Sequence, residues 1–268
     1  MKEIIDVELK SQKVALDKCR TEMLAVGLFS DAKKLDKLNS ELDRKFDGAI
    51  ERMIGLEDLK AKCGTSAVVY GGAEQGIKRV LLVGLGEKKK ATLDTLRKAA
   101  AVATKKAVAM RIQDISIALH NAFGGRFDLA RMGQVMAEGV YFGSYCYDEF
   151  VTEGEDGRLD TLRAELIDSD SARIRKLSRG FANGSVIGRA QSYARTLANR
   201  PGNVINPAEL AAAASKTART TKGLSCTVFD KKQMAAKGMG GVLAVGLILE
   251  SRFKYVDKHR PLAARCLL

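Results

Sequence analysis

Short apolar runs alternate with stretches of helical periodicity through the first 170 residues, and no other feature narrows the fold as much. The runs Ile4–Leu9, Met23–Phe29, Ala67–Tyr70, Arg79–Val83 and Ile115–Leu119 are rich in Val, Ile and Leu. Bounded by Gly, Asp or Lys, they read as strands. Leu38–Met53, Leu93–Met110 and Leu129–Tyr141 read as helices. The second carries Leu93, Leu96, Ala99, Ala100, Ala103 and Ala107 along one side, with Thr92 at its start. Strands alternating with helices predict an α/β fold, a mixed sheet flanked by helices. Between 155 and 170 the composition turns polar, through Glu153-Gly154-Glu155-Asp156-Gly157 and then Asp168-Ser169-Asp170. That change marks the end of a first domain over residues 1–170.

Ser171 to Asn199 reads as one connecting helix (171–200), with Leu177, Phe181, Ile187, Ala190, Ala194 and Leu197 at helix-compatible spacings. Pro201 stops it, because proline disfavours helical geometry in the residue before it and donates no N–H. A second helix opens at Asn206-Pro207, with Asn206 as N-cap and Pro207 at the first helical position, and runs through Glu209–Thr220 to Gly223. Leu224–Phe229 reads as a strand, Asp230–Ala236 as a short helix and Gly241–Gly246 as a glycine-bounded apolar run. Residues 201–268 are therefore the beginning of a second α/β domain. Ordering a residue costs about 1.5 kcal/mol, and an incomplete sheet buries too little apolar surface to offset that. Residues 1–170 are expected to fold independently; 201–268 are expected to be marginal, exposed or dependent on a partner.

Several function classes are excluded. The longest apolar stretches, Val80–Leu85 and Val242–Leu249, are far short of a membrane span, and the charged N-terminus has no signal-peptide core. No membrane partner is expected. Five cysteines without a C-x-x-C motif read as reduced, buried thiols of a cytoplasmic protein. With only His120 and His259 there is no Cys/His metal site, and each histidine alone reads as structural or exposed. No Gly-Lys dipeptide exists for a phosphate-binding Walker loop. Gly84-Leu85-Gly86 and Gly238-Met239-Gly240-Gly241 read as tight turns. The net charge of +13 is concentrated: residues 171–268 hold 18 Lys and Arg against four acids. Such an imbalance suits an anionic partner or a solvated basic face. It lacks the interleaved aromatics of a nucleic-acid surface, so nucleic acid is the weaker candidate partner.

One segment carries a resemblance. Arg195-Thr196-Leu197-Ala198-Asn199-Arg200-Pro201-Gly202-Asn203-Val204-Ile205-Asn206-Pro207 resembles the R-D-L-x-N-x-P-x-N-x-x-x-P opening of the catalytic domain in leucyl aminopeptidases, the cytosol aminopeptidases with two metal ions. Lys237-Gly238-Met239-Gly240-Gly241-Val242-Leu243-Ala244-Val245-Gly246 resembles the family's G-M-G-x-x-L-A-V-G. Upstream, Val80–Gly86 and the stretch from Glu138-Gly139 to Tyr145 and Asp148 are similar to signatures of its N-terminal domain. Asn199, Pro201, Asn203, Pro207, Gly238, Met239, Gly240 and Gly246 are thus family-motif positions of structural character. The resemblance implies a macro-like N-terminal domain, a catalytic domain holding two divalent metals (Zn or Mn), release of N-terminal amino acids from peptides, and hexamers. It fades after Gly246: residues 247–268 depart from the family, and the motifs V-G-K-G-x-T-F-D-x-G-G and N-T-D-A-E-G-R are absent from these residues. No catalytic, metal or substrate-binding residue carries over. No cofactor is expected in this chain, activity is not expected from it alone, and its expected partners are copies of itself or an intact paralogue. The alternative is a non-catalytic binding or assembly module.

Overall fold

The computed structural model describes residues 5–56, 59–72, 76–151, 159–245 and the backbone of 266–267. Contacts divide the chain into two compact units, Met1–Tyr193 and Ala194–Leu268.

The first unit is built on a six-stranded mixed sheet of order β1-β6-β5-β2-β4-β3. Its strands are β1 (Asp6–Lys13), β2 (Met23–Leu28), β3 (Ser66–Tyr70), β4 (Arg79–Gly84), β5 (Asp114–Ile117) and β6 (Thr161–Asp168). Only the β3–β4 pair is antiparallel. In the central strands alternate residues serve two cores, as the pleat requires. Met23 and Ala25 of β2 join Leu81, Val83, Ile115 and Ile117 on one face, against α3 (Leu93–Ala109), α4 (Leu129–Ser144) and the start of α5 (Ser171–Asn199). Leu24, Val26 and Leu28 face the other way, onto α1 (Lys37–Lys45) and α2 (Ala49–Gly55) through Leu42, Phe46 and Ile50.

Several readings of the sequence need correction. The helix read over Leu38–Met53 is two, broken at Asp47 and Gly48, both in the left-handed region (φ 52° and 73°). Asp43 makes the break favourable, since its Oδ1 accepts from the Ile50 and Glu51 amides at 2.8 and 3.0 Å and caps α2. The polar stretch read as a boundary contains β6, which pairs with both β1 and β5. The apolar stripe read along α5 holds at Leu177 and Phe181 and fails beyond them. Ile187 and Ala190 are exposed, and the buried positions are Ile174, Leu177, Gly180, Phe181, Gly184 and Gly188. Small residues face α4 because the two helices touch backbone to side. Finally, of the four described cysteines only Cys19 is buried; all four are free thiols.

The second unit contains α6 (Pro207–Thr220), the short strand β7 (Val228–Phe229), α7 (Lys231–Ala236) and β8 (Cys266–Leu267), which pairs antiparallel with β7. The strand read over Leu224–Phe229 is reduced to its last two residues, and 240–245 are helical. Among the described residues no helix is long and apolar enough to cross a membrane.

Candidate functional site

The motif residues fall in two turns of the second unit. Asn199 is the last residue of α5, and Pro201 begins a turn whose carbonyl accepts from the Val204 and Ile205 amides at 2.8 and 2.9 Å. Asn203 is exposed within that turn. Asn206 caps α6, its Oδ1 accepting from the Ala208 and Glu209 amides at 3.0 and 3.1 Å, and Pro207 sits at the first helical position, where no N–H is needed. Gly238 (φ 71°) terminates α7: its amide donates to Ala235 O and that of Met239 to Met234 O, the paired bonds of a Schellman stop. Gly240 opens the next helical segment, and Gly246 lies outside the described residues. Each of these positions shapes backbone; none presents a nucleophile, acid or base. The Gly84-Leu85-Gly86 turn is mixed in character. Gly86 has φ 71°, whereas a Cβ on Gly84 would lie 2.5 Å from Thr65 Oγ1 and 2.6 Å from the Ala61 carbonyl carbon.

The ionisable groups that do converge are in the first unit. His120 sits in the 3₁₀ turn after β5 (Leu119–Phe123), Asp168 ends β6, and Arg173 lies in the first turn of α5. His120 Nε2 is 2.8 Å from Asp168 Oδ2, to which Arg173 Nε donates at 2.9 Å; Oδ1 accepts from the Asp170 amide at 2.8 Å. Burial opposes charge on the carboxyl, but these donors outweigh it and hold Asp168 well below the usual carboxylate range. Burial likewise pushes His120 below its ordinary value near 6.5, against the pull of Asp168. The imidazole is therefore neutral, and because Nδ1 has no hydrogen-bond partner among the described residues, the proton belongs on Nε2. Held so far below the usual range and already accepting three hydrogen bonds, Asp168 is a poor proton acceptor. The cluster ties β5, β6 and α5 together. His120 read alone gave no hint of this, since its partner is 48 residues away.

An open cleft of about 600 Å³ lies beside Asp168, with Asp36, Glu41, Arg44 and Lys45 of both signs along its walls. Among the described residues no group of three or more His, Cys, Asp or Glu side chains is placed to hold a metal ion.

Comparison with known proteins supplies the remaining context. The family model for the N-terminal domain of the cytosol aminopeptidase family matches residues 25–154, and that for its catalytic domain matches 192–250. A probable cytosol aminopeptidase of Chlorobium limicola is 30% identical over 239 residues, covering 85% of this chain and 46% of the relative. One from Syntrophotalea carbinolica is 31% identical over 229 residues, covering 84% and 45%. The chain thus spans about half the length of the curated relatives it matches. Among solved structures, a mutant of tomato leucine aminopeptidase superposes with a TM-score of 0.77 at 22% identity, over 91% of this chain and 48% of that one. The bottromycin maturation enzyme BotP in complex with Mn superposes with a TM-score of 0.61 at 24% identity, over 84% and 42%.

Proposed function

This chain belongs to the cytosol aminopeptidase family, and from that premise we propose that its 268 residues form a non-catalytic part of an aminopeptidase. The first unit supports itself. The second matches the opening of the peptidase domain, and a partner chain stabilises it by covering its exposed apolar side chains. One observation carries this reading: of the buried hydrophobic side chains described, only Ala211 and Met234 lie beyond Tyr193, while Leu210, Leu224, Val242 and Val245 are exposed. A second copy of the chain or an intact family member is the partner that would cover them. Its relatives are named cytosol aminopeptidases, and the cytosol is where we place this association.

Release of N-terminal residues in this family is metal-dependent, and the residues present do not fit the metal. Two divalent cations at roughly 3.5–4 Å need several carboxylates to offset their charge. Between residues 171 and 245 the only acids are Glu209 and Asp230. Asp230 is engaged as the N-cap of α7, accepting from the Gln233 amide at 2.9 Å, and Glu209 stands alone in the first turn of α6. No step of hydrolysis is therefore assigned to these side chains.

Purified chain incubated with Mn²⁺ or Zn²⁺ and leucine p-nitroanilide is expected to show neither turnover nor stoichiometric metal uptake. Two bound metals together with turnover would overturn the proposal. Native mass spectrometry, alone and with a full-length aminopeptidase, is expected to show association. A strictly monomeric chain whose residues 200–245 resist proteolysis would refute partner dependence. DNA binding is the competing view, and a salt-sensitive gel shift would favour it.

A further inference from the structure

The helices α1 and α2 cover only part of their face of the sheet. Leu42, Phe46 and Ile50 share a core with Leu24 and Val26 of β2 and with Val80 and Leu82 of β4. Toward β5 and β6 the same face stays open, as the cleft of about 600 Å³ beside Asp168. Leu24, Ala118 and Ile167 form its buried floor, while the half-buried Val14, Leu16 and Leu38 present apolar surface to it. One wall is α1 and the other is the segment that follows β1. Two bonds hold that segment in place: the Val14 amide donates to the Asp168 carbonyl at 3.1 Å, and Lys45 Nζ reaches across from α1 to the Leu16 carbonyl at 3.1 Å. The volume falls in the range of small-molecule sites.

The charges bordering the cleft divide into engaged and free. Asp36 accepts from the Asn39 amide at 3.0 Å and from its side-chain amide at 2.7 Å. Asp168 is taken by His120, Arg173 and the Asp170 amide, and Lys45 by the Leu16 carbonyl. Asp17, Lys37, Glu41 and Arg44 have no partner among the described residues. Asp17 and Lys37 are exposed, whereas Glu41 is half-buried and stands three residues before Arg44 on α1. Side chains so spaced are neighbours on one helix face, about 5–6 Å apart at Cβ, and opposite charges there ordinarily attract each other. Here both border the cleft and neither pairs with the other.

Two unpaired charges of opposite sign, side by side above an apolar floor, complement a ligand that carries an ammonium and a carboxylate close together. The free groups are two acids and two bases, so the cleft favours neither an anion nor a cation. A phosphate would meet two carboxylates, and a divalent metal would meet two cations.

We propose that this cleft binds a free α-amino acid with an aliphatic side chain. Glu41 holds the ammonium, and the forked guanidinium of Arg44 donates to the carboxylate. The aliphatic group lies against Leu16, Leu38 and the floor, out of water. The site is made wholly by the first unit, so it requires neither the residues from 194 onward nor a partner chain.

The test is an NMR titration of the isotopically labelled full chain with leucine, glycine, N-acetylleucine and leucinamide. Leucine is expected to saturate and to shift the amides of residues 14–17 and of α1. Glycine should bind at least tenfold more weakly, because it covers none of the apolar surface. N-acetylleucine lacks the ammonium and leucinamide the carboxylate, and each should bind about tenfold more weakly than leucine, the size of one charge-assisted hydrogen bond. Glu41→Gln is expected to weaken leucine about tenfold and leave N-acetylleucine unchanged. Arg44→Gln is expected to weaken leucine about tenfold and leave leucinamide unchanged. Both variants should melt with the parent chain, since neither side chain has a partner in the fold. Failure of leucine to saturate these shifts would overturn the proposal. So would glycine binding as tightly as leucine, or variants that bind leucine like the parent chain.

Discussion

Substituting Gly180 by alanine tests how the first unit is held together. Built on the α5 backbone, a Cβ at this position falls inside the van der Waals envelope of the Ala130 carbonyl oxygen, 2.5 Å from its carbon and 2.9 Å from Ala130 Cα. Ordinary contact begins near 3.4 Å, and the obstacle is α4 backbone, which cannot rotate away as a side chain can. The helices must part by roughly 1 Å, which loosens Ile174, Leu177 and Phe181 where they enter the core. Overpacking of this kind costs about 1–3 kcal/mol, with backbone obstruction at the upper end. Replacing a helical glycine returns up to about 1 kcal/mol of propensity. The expected net loss is about 1–2 kcal/mol, a fall of roughly 2–8 °C in Tm for a unit of this size. Gly55→Ala is the matched control: it also lies in a helix, but a Cβ there meets nothing within 4 Å, so a small gain is expected. Both are read by urea denaturation followed by far-UV circular dichroism. A Gly180→Ala chain as stable as its parent, beside a stabilised Gly55→Ala chain, would mean that the α4–α5 crossing is not as close as described.

Further outcomes follow from the buried cluster and the caps. Asp168→Ala strands the His120 Nε2–H in the core and removes a partner from the partly exposed Arg173; a loss of about 2–4 kcal/mol is expected in the same denaturation assay. Because His120 resists protonation when folded, the unfolded chain binds more protons below the ordinary imidazole value near 6.5, so stability should decline as pH falls through that point. Asp168, depressed in the folded state, adds a further decline at more acidic pH as it is forced to protonate. A His120→Gln chain should lose the first decline and keep the second in pH-dependent melting. Asn206→Ala removes the cap of α6 and should cost about 1 kcal/mol locally. Amide exchange should then rise at Ala208 and Glu209 and not in the sheet of the first unit.

The sequence announces strands whose apolar residues form an uninterrupted run and hides elements whose burial alternates among charged residues or rests on glycine. β2 and β4 are buried on both faces, so their uninterrupted apolar runs stand out. β6 alternates: Leu162, Ala164 and Leu166 enter the core while Arg163 and Glu165 face outward, and acidic neighbours on both sides disguise a period-two pattern as a linker. The α5 stripe misleads for a different reason. Hydrophobic periodicity finds contacts made by large side chains, but α5 meets α4 through glycines, which carry no hydropathy signal. The caps at Thr92 and Asn206 are legible because a single side chain satisfies amides within three residues of itself. The His120–Asp168 pair is not legible in this way. It is assembled by strand order, which joins residues dozens of positions apart, and no local pattern encodes that order.

The contrast between the two units bears on where function can reside. Recognition of a small ligand needs rigid walls, and the first unit supplies them: two cores, one on each face of the sheet, fix the ends of β2, β4 and β5, and hydrogen bonds bind the following loops to one another. In the second unit well-formed caps and a Schellman stop give correct local turns around almost no buried apolar surface. Local capping contributes on the order of 1 kcal/mol per site and sets helix boundaries, but it cannot replace the burial that fixes one helix against another. A motif can therefore be matched residue by residue at the level of turns and still lack the packing that would make it a domain. If a partner chain supplies the missing apolar contacts, as proposed, any activity that depends on residues 194–268 should vary with the concentration of that partner, whereas the melting of the first unit should not.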